Sequence, residues 1–161
     1  MRKQKGFSLI ELLIVVAIIL IIAAIAIPNL IRSRIAANEA SAVGSIRTIN
    51  TAEVTYASTY QNVGFTCTLT DLGPPASGAV SSTAAGLIDS VLGGATSVKS
   101  GYTFTLSNCT AAGGINVTYN SKGLPVAIGT SGQRGFCSDT SGVIHYNTAG
   151  TCDVATDLAL Q

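Results

Sequence analysis

One acidic side chain, Glu11, lies at the start of a long apolar run and is the most unusual chemical group in this chain. The run from Leu12 to Ile27 contains no charged residue. An ionised carboxylate in hydrocarbon costs roughly 2.5–3.5 kcal/mol even on insertion scales that give low values. We therefore expect Glu11 to have a cationic partner, and its expected chemistry is the pairing of charges.

Residues that could catalyse a reaction are sparse. The chain has one histidine, His145, in a predicted strand, and it has no Gly-x-Ser-x-Gly sequence, phosphate-binding loop or paired metal ligands. Asp139, Asp153 and Asp157 could approach a cation, but their spacing does not form a dedicated calcium loop. The sequence therefore predicts no catalytic residues, no metal site and no cofactor.

The element that must position Glu11 is a helix long enough to span a membrane. From Phe7 to Ile27 there are 21 residues, of which only Ser8 and Glu11 are polar. As a helix, this length crosses a hydrocarbon core of about 30 Å. Three basic residues precede it: Arg2, Lys3 and Lys5. The positive-inside rule then predicts a cytoplasmic N-terminus, with the residues beyond 30 outside.

The same apolar segment is compatible with two alternatives to a membrane helix with a functional glutamate. A basic start, an apolar region and the sequence Ala24-Ile25-Ala26 also outline a secretory signal peptide. Against it, the apolar region is too long, a glutamate opens it, and the helical pattern continues beyond the possible cleavage site. The second alternative is a plain signal-anchor helix that tolerates its glutamate.

Four cysteines lie in the part of the chain predicted to face outward, where disulfides persist: Cys67, Cys109, Cys137 and Cys152. No Cys-x-x-Cys pair is present, and no histidine lies nearby at metal-ligand spacing, which favours two disulfides over a metal site. Four cysteines allow three connectivities.

The N-terminal sequence resembles that of bacterial type IV pilins and their pseudopilin relatives. The motif consists of Lys5-Gly6-Phe7-Ser8-Leu9-Ile10-Glu11, the apolar residues from Leu12 to Ile19, and Pro28. The resemblance is close over about residues 1 to 30 and looser as far as Tyr60.

This resemblance implies processing and assembly through named residues. A prepilin peptidase would cut after Gly6 and methylate the new N-terminus at Phe7. Because glycine lacks a Cβ, the backbone at Gly6 can fit closely in a narrow protease site. Glu11 would then pair with the Phe7 amine of a neighbouring subunit. An unpaired buried charge costs several kcal/mol, so this pairing selects the correct register.

The resemblance also implies a fold. We expect an α+β, pilin-like fold in which a long N-terminal helix, with a membrane-spanning first half, packs on a small antiparallel β-sheet head. Pro28 removes an N–H that would bond the carbonyl of Ala24, so we expect a kink or local melting there; alternatively, Pro28 ends the membrane helix. Among the possible disulfides, the resemblance favours Cys67–Cys109 and Cys137–Cys152.

The chain is expected to have five parts. They are a leader at 1–6, a transmembrane and polymerisation helix at 7–28, the amphipathic half of the helix at 29–60, a connecting loop at 61–100, and an antiparallel sheet with a disulfide-bounded C-terminal region at 101–161.

Two faces with helical spacing predict the amphipathic half of the helix. An apolar stripe with spacings of three, four or seven forms the first face: Ile31, Ile35, Ala42, Ile46, Ile49, Tyr56 and Tyr60. Polar residues form the opposite face, which we expect to be exposed: Arg32, Arg34, Asn38, Ser41, Ser45 and Thr48.

Short β-rich segments alternate with turn residues after Gly101. The predicted strands are Tyr102–Leu106, Ile115–Tyr119, Pro125–Ile128, Gly135–Ser138 and Val143–Tyr146, with hairpin turns at 120–123 and 139–142. The residues expected on the face of the sheet are Tyr102, Phe104, Val117 and Tyr119.

Charge gives no sign of a dedicated nucleic-acid site. Nine basic and eight acidic residues leave a formal charge of +1, and removal of residues 1–6 would leave six basic side chains against eight acidic ones, or −2 before the new terminus is counted. A protein that holds nucleic acid as its main task needs a basic surplus.

The resemblance implies a structural filament subunit that serves adhesion, motility or DNA uptake, without catalysis. Its partners would be other pilin subunits, the prepilin peptidase, the inner membrane and the pilus assembly machinery. The chain would cross the inner membrane once before assembly and lie in an extracellular surface filament afterwards. The alternatives are a pseudopilin of a type II secretion system and a monomeric membrane-anchored binding module.

Overall fold

The computed structural model describes residues 6–160, so residues 1–5 of the predicted leader and Gln161 lie outside the described part. The elements in chain order are α1 (Leu9–Thr59), α2 (Leu69–Leu72), β1 (Val98–Lys99), β2 (Tyr102–Ser107), β3 (Ala111–Ala112), β4 (Ile115–Asn116), β5 (Asn120–Pro125), β6 (Gly135–Asp139), β7 (Ile144–Asn147) and β8 (Leu158–Ala159). The chain divides into two units, one that ends at Arg34 and one that begins at Ile35.

The first unit is helical from Leu9, and its apolar side chains are exposed. By length and composition, α1 is the one helix in the described part of the chain that could cross a membrane, and its most apolar stretch buries nothing within the molecule. Pro28 lies inside α1, and the helix continues on both sides of it. The kink predicted at Pro28 stays a prediction.

The second unit packs the later part of α1 on an antiparallel sheet, which confirms the predicted α+β, pilin-like arrangement. Six strands form the sheet in the order β1-β2-β5-β6-β7-β8, and every neighbouring pair is antiparallel. β3 and β4 form a separate two-stranded hairpin. The predicted strands at 102–106, 135–138 and 143–146 match β2, β6 and β7 to within about a residue.

The hairpin turn predicted at 120–123 is wrong, because these residues form most of the central strand β5. They pair with β2 on one side and with β6 on the other. Gly123 is opposite Phe104, and a Cβ atom on it would come within 2.9 Å of the Phe104 ring. The glycine therefore makes room for an aromatic neighbour and does not form a turn.

Other local predictions also need correction. Of the strand predicted at 125–128 only Pro125 belongs to β5, and the chain then turns, with a hydrogen bond from Ser131 N–H to the Ala127 carbonyl. Of the strand predicted at 115–119 only the first two residues are in β4. Val117, expected on the sheet face, is 47% exposed. The turn predicted at 139–142 is present, with Gly142 N–H donating to the Asp139 carbonyl.

The core lies between α1 and the sheet. From α1 it contains Ala42, Ile46, Ile49 and Tyr56, and from the sheet it contains Tyr102, Phe104 and Phe136. The buried stripe does not extend to Ile31, which is exposed. Counting by three and four along the same stripe also reaches Glu39 and Glu53, and both carboxyl groups are buried. The sheet must therefore supply polar partners at two positions of an otherwise apolar face.

Glu39 is held by a group of donors around Arg134. Its Oε1 accepts hydrogen bonds from the backbone N–H groups of Gln133 (2.9 Å) and Arg134 (3.0 Å), and its Oε2 accepts from the Arg134 guanidinium at 2.8 Å. The guanidinium also lies 5.4 Å from the centre of the Phe136 ring. Burial acts to raise the pKa of Glu39, but these donors outweigh it and the pKa falls below its usual value.

Asn50 is a second polar anchor between α1 and the sheet. Its Nδ2 donates to Ser138 Oγ at 2.8 Å, and its Oδ1 accepts from Ser121 Oγ at 3.2 Å and from the Tyr119 hydroxyl at 3.3 Å. Ser121 and Ser138 are register partners on β5 and β6. One amide thus fixes the position of the helix over two central strands.

Two disulfides close loops of different length. Cys67 pairs with Cys109 and Cys137 pairs with Cys152, the pairing that the resemblance favoured, and the described residues include no free cysteine. The sequence separations are 42 and 15 residues. The first joins the segment before α2 to the chain after β2, and the second joins β6 to the segment before β8.

We predict that Glu39→Gln destabilises the protein at neutral pH. The loss of charge-assisted hydrogen bonds should lower the free energy of unfolding by about 1–3 kcal/mol. Because the pKa of Glu39 is lowered in the folded state, its stabilisation is present above the unfolded pKa and is lost as the pH falls through the folded one. Urea unfolding of the full chain in mild detergent between pH 3 and pH 7 would therefore show a weaker acid dependence in the variant.

The control for this prediction is Asp89→Asn. Asp89 pairs with Lys99 at 2.7 Å, but both side chains are at least one-third exposed. Exposed ion pairs contribute about 0–1 kcal/mol, so this variant should unfold nearly as the wild type does. Equal losses in the two variants would contradict the assignment of Glu39 as an anchor.

We predict that both disulfides stabilise the fold and that the longer loop matters more. In the loop-entropy model, removing Cys137–Cys152 by double substitution with alanine costs about 3 kcal/mol, and removing Cys67–Cys109 costs about 4 kcal/mol. Urea unfolding of each double variant against the oxidised wild type measures these losses. A loss well below about 1 kcal/mol for both would contradict the prediction.

Candidate functional site

The residues before α1 form an open segment. Gly6, Phe7 and Ser8 precede the helix, and all three are exposed, with the Phe7 side chain at 76%. A Cβ atom placed on Gly6 would meet no heavy atom within 4 Å. The Gly6–Phe7 peptide bond is therefore accessible, as a site of proteolysis must be.

Glu11 caps the N-terminus of helix α1. The Ser8 backbone N–H donates to Glu11 Oε2 at 2.9 Å, which is one half of a capping box. A carboxylate in the first turn also interacts favourably with the partial positive charge at the helix N-terminus. The carboxylate is exposed and accepts only this hydrogen bond within the described residues, so it can accept a further donor, such as an ammonium group.

The predicted partner of Glu11 does not exist in the uncut chain. The nitrogen of Phe7 is part of the peptide bond to Gly6 and carries no charge. Only cleavage after Gly6 would turn it into an amine, within one helical turn of Glu11 in sequence. The structure thus places Gly6, Phe7 and Glu11 in one short exposed segment, while the charge pair itself depends on processing.

The part of α1 from Leu9 to Ile31 presents an apolar surface on all sides. Large exposed hydrophobic residues recur throughout the segment that ends at Ile31: Leu9, Ile10, Leu12, Leu13, Ile14, Val15, Val16, Ile18, Ile19, Leu20, Ile21, Ile22, Ile25, Ile27, Leu30 and Ile31. A continuous apolar surface of this length marks contact with lipid or with other proteins. The same segment therefore suits membrane anchoring and helix–helix assembly.

The acidic residues near the C-terminus are used in local turns. Asp139 Oδ1 accepts a hydrogen bond from Ser141 N–H at 2.9 Å. Asp157 accepts from Asn147 Nδ2 and from Asp153 N–H, both at 2.7 Å. The sulfur atoms of Cys137 and Cys152 lie near Asp157, but they are bonded to each other and do not act as thiolate ligands.

His145 is also held by a local contact. Its Nδ1 lies 2.8 Å from the Asp157 carbonyl, which joins β7 to the segment before β8. No hydroxyl or thiol nucleophile is hydrogen-bonded to the ring within residues 6–160. The contact that the structure shows for His145 therefore joins β7 to the segment before β8.

Sequence reasoning missed Glu39, Asn50 and Glu53, which are buried polar residues of α1 that face the sheet. Ser45, predicted on the exposed side of the helix, is buried as well, so that prediction is wrong. The signal for the two glutamates is present in the sequence, because they fall at helical spacing from the apolar stripe. A charged residue at a core position requires a partner, and this requirement can be recognised without a structure.

Comparison with known proteins finds one family model, at the N-terminus, and similar proteins. The family model described as the prokaryotic N-terminal methylation motif matches residues 1–27. The type IV wide pilus major component PilA4 of Thermus thermophilus is 64% identical over 39 residues, which are 24% of this chain and 30% of that protein. The type IV major pilin protein PilA of Myxococcus xanthus is 45% identical over 54 residues, which are 34% of this chain and 24% of that protein.

The extent of these matches is limited. The matched segments span less than a third of either relative. No solved structure matches the chain. The chain therefore carries the prokaryotic N-terminal methylation motif at residues 1–27, and part of it is similar to two proteins named as type IV pilus components.

Proposed function

We propose that this protein is a structural subunit of a type IV pilus-like filament, which polymerises through its N-terminal helix and serves adhesion, motility or DNA uptake. The observation that carries the proposal is the exposed apolar part of α1, from Leu9 to Ile31, which follows Gly6-Phe7 and has a single carboxylate, at Glu11. The methylation motif at the same residues supports it. The proposal assigns no catalysis to the chain.

Processing would prepare the subunit for assembly. A prepilin peptidase would remove residues 1–6 and methylate Phe7, and the chain would remain in the inner membrane with its N-terminus towards the cytoplasm. Loss of the leader removes three of the nine basic residues, those at positions 2, 3 and 5. The assembly machinery would then transfer the subunit from the membrane to an extracellular filament.

Charge pairing would set the register of the filament. After cleavage, each helix has an amine at Phe7 and a carboxylate at Glu11 in a low-dielectric environment. Each of these charges is costly without a partner. Pairing Glu11 with the amine of a neighbouring subunit satisfies both groups, whereas a shifted register leaves both unpaired. The single hydrogen bond from Ser8 leaves the carboxylate able to accept that amine.

Two alternatives make different predictions. A pseudopilin of a type II secretion system would share the processing and the helix, but the similar proteins are named as a type IV pilus component and a type IV pilin, which favours a pilin. A monomeric membrane-anchored binding module would need neither cleavage after Gly6 nor a charge at Glu11. Processing and assembly can therefore be tested separately.

We predict that the mature protein begins at N-methyl-Phe7 and is abundant in filaments sheared from native cells. Mass spectrometry of the N-terminal peptide from the sheared fraction, compared with the membrane fraction, measures this. The same peptide confined to the membrane would favour a pseudopilin. A mature protein that still begins at Met1 would overturn the proposal.

We predict that Glu11→Ala blocks assembly but permits cleavage after Gly6. The yield of sheared filament should fall by about tenfold or more, because each subunit would leave an amine unpaired in hydrocarbon. The matched control is Ser8→Ala, which retains the backbone N–H that Glu11 accepts and should assemble. Normal filaments from Glu11→Ala would contradict the role of the charge pair.

A further inference from the structure

Glu53 is a buried carboxyl group with one unpartnered oxygen. It lies on the sheet-facing stripe of α1 and is 0% exposed. Its Oε2 accepts a hydrogen bond from the backbone N–H of Thr66 at 3.0 Å. Its Oε1 is the one buried side-chain oxygen or nitrogen without a hydrogen-bond partner in the part of the chain that the structure describes. The assembly role proposed above does not use this residue.

Thr66 connects Glu53 to a second carboxyl group. While its N–H donates to Glu53, its Oγ1 donates to Asp71 Oδ2 at 2.8 Å. Asp71 lies in α2, whose Leu69 and Leu72 belong to the core. Thr66 thus holds two acidic groups, one from α1 and one from α2, near the same point.

The other groups that face Glu53 do not neutralise its charge. Tyr56 on α1 and Tyr119 before β5 are phenols whose pKa values are raised by burial and, in addition, by the negative charge of Glu53. Among the described residues, the one charged side chain that acts on Glu53 is Asp71, and its charge is of the same sign. Arg134 pairs with Glu39.

These surroundings favour the neutral form of the carboxyl group. The pKa of Glu53 is raised to about 8: burial is the main cause, the Asp71 charge adds to it, and the Thr66 N–H partly opposes both. The geometry agrees, because an ionised carboxylate has two strongly accepting oxygens and only one of them has a donor here. Ionisation of Glu53 in this structure would bury an unpaired negative charge next to the negative charge of Asp71.

We propose that Glu53 is a proton-controlled latch, which holds the segment Thr66–Leu72 on helix α1 while its carboxyl group is neutral and releases that segment when the group ionises. The segment has seven residues, and its opening would expose Leu69 and Leu72. Its opening would let water reach Glu53, which removes the cost of the charge.

Release of this segment would spread to the loop that follows it. Ala85 N–H donates to the Asp71 carbonyl at 2.7 Å, and Leu87 N–H donates to the Leu72 carbonyl at 2.8 Å. These hydrogen bonds hold part of the loop between α2 and β1 against the segment. The Cys67–Cys109 disulfide keeps the segment attached to the chain after β2, so opening is local and reversible.

Proton linkage sets the direction and the range of the effect. The closed form binds a proton up to a pKa of about 8, whereas the open form binds it only up to about 4.5, the value of an ordinary glutamate. The opening equilibrium constant therefore rises about tenfold per pH unit between these two pKa values, and it levels off above the higher of them, about 8. The latch is closed most firmly in acid and weakens as the pH rises.

The test is hydrogen–deuterium exchange of the full chain in detergent micelles between pH 5 and pH 8, corrected for the intrinsic pH dependence of amide exchange. Peptides that cover Thr66–Leu72 should show opening that increases about tenfold per pH unit. Peptides from β5 and β6 should show no such increase. An opening constant of Thr66–Leu72 that does not change with pH would overturn the proposal.

Three variants make the test specific. Glu53→Gln is neutral at every pH, so its opening constant should not change between pH 5 and pH 8. Glu39→Gln removes the other buried glutamate of α1 and should keep the wild-type increase over Thr66–Leu72. If Glu53→Gln does not fold, Asp71→Asn serves instead, because loss of the neighbouring charge lowers the pKa of Glu53, so the increase should level off below pH 8, within the measured range. A full increase in Glu53→Gln, or an increase in Asp71→Asn that matches the wild type up to pH 8, would contradict the latch.

Discussion

The need to give every buried polar group a partner shapes the contact between helix α1 and the sheet. The stripe of α1 that faces the sheet contains two glutamates and an asparagine among its apolar residues. Apolar contacts alone would tolerate a small rotation or shift of the helix, because they have no direction. The hydrogen bonds of Asn50 to Ser138, Ser121 and Tyr119 do not tolerate it, so they select one position of the helix.

The two buried glutamates show how surroundings decide the state of one residue type. Glu39 accepts two backbone N–H groups and a guanidinium, and its pKa is lowered. Glu53, further along the same face, has one backbone donor and a carboxylate neighbour, and its pKa is raised to about 8. The first is a fixed ionic anchor. The second is suited to a change of protonation, because its two forms differ in how well they fit the closed structure.

The first unit of the chain presents the opposite situation, because its apolar side chains are exposed. From Leu9 to Ile31 they lie on all sides of the helix. Such a surface is costly in water, so the segment requires lipid or other helices. Glu11 is provided with one hydrogen bond from Ser8, enough to cap the helix but not to neutralise the carboxylate. In an assembly of helices within lipid, a neighbouring helix can supply a cationic partner for Glu11.

The disulfide pairing was expected from the resemblance to pilins, because the cysteines alone allowed three connectivities. Local signals in the sequence were sufficient for the N-terminal motif, the long helix and the approximate positions of β2, β6 and β7. These features depend on residue type and spacing within a few turns or on a motif with fixed offsets. The residues at 120–123 misled the prediction, because an Asn-Ser-Lys-Gly sequence is typical of a turn. Gly123 is needed instead for the close approach of Phe104, a contact between strands that no local pattern contains.

The tertiary structure alone decided the chemistry of the buried stripe. Spacing places Glu39 and Glu53 on the core face of α1, but their donors come from other parts of the chain, Arg134 being 95 residues from Glu39 and Thr66 being 13 residues from Glu53. Whether a buried carboxyl group is ionised depends on the number and charge of these neighbours, and only folding brings them together. The sequence by itself determined that an N-terminal methylation motif leads into this helix and that the helix continues along a core. The fold determined which of its carboxyl groups is an anchor and which can respond to protons.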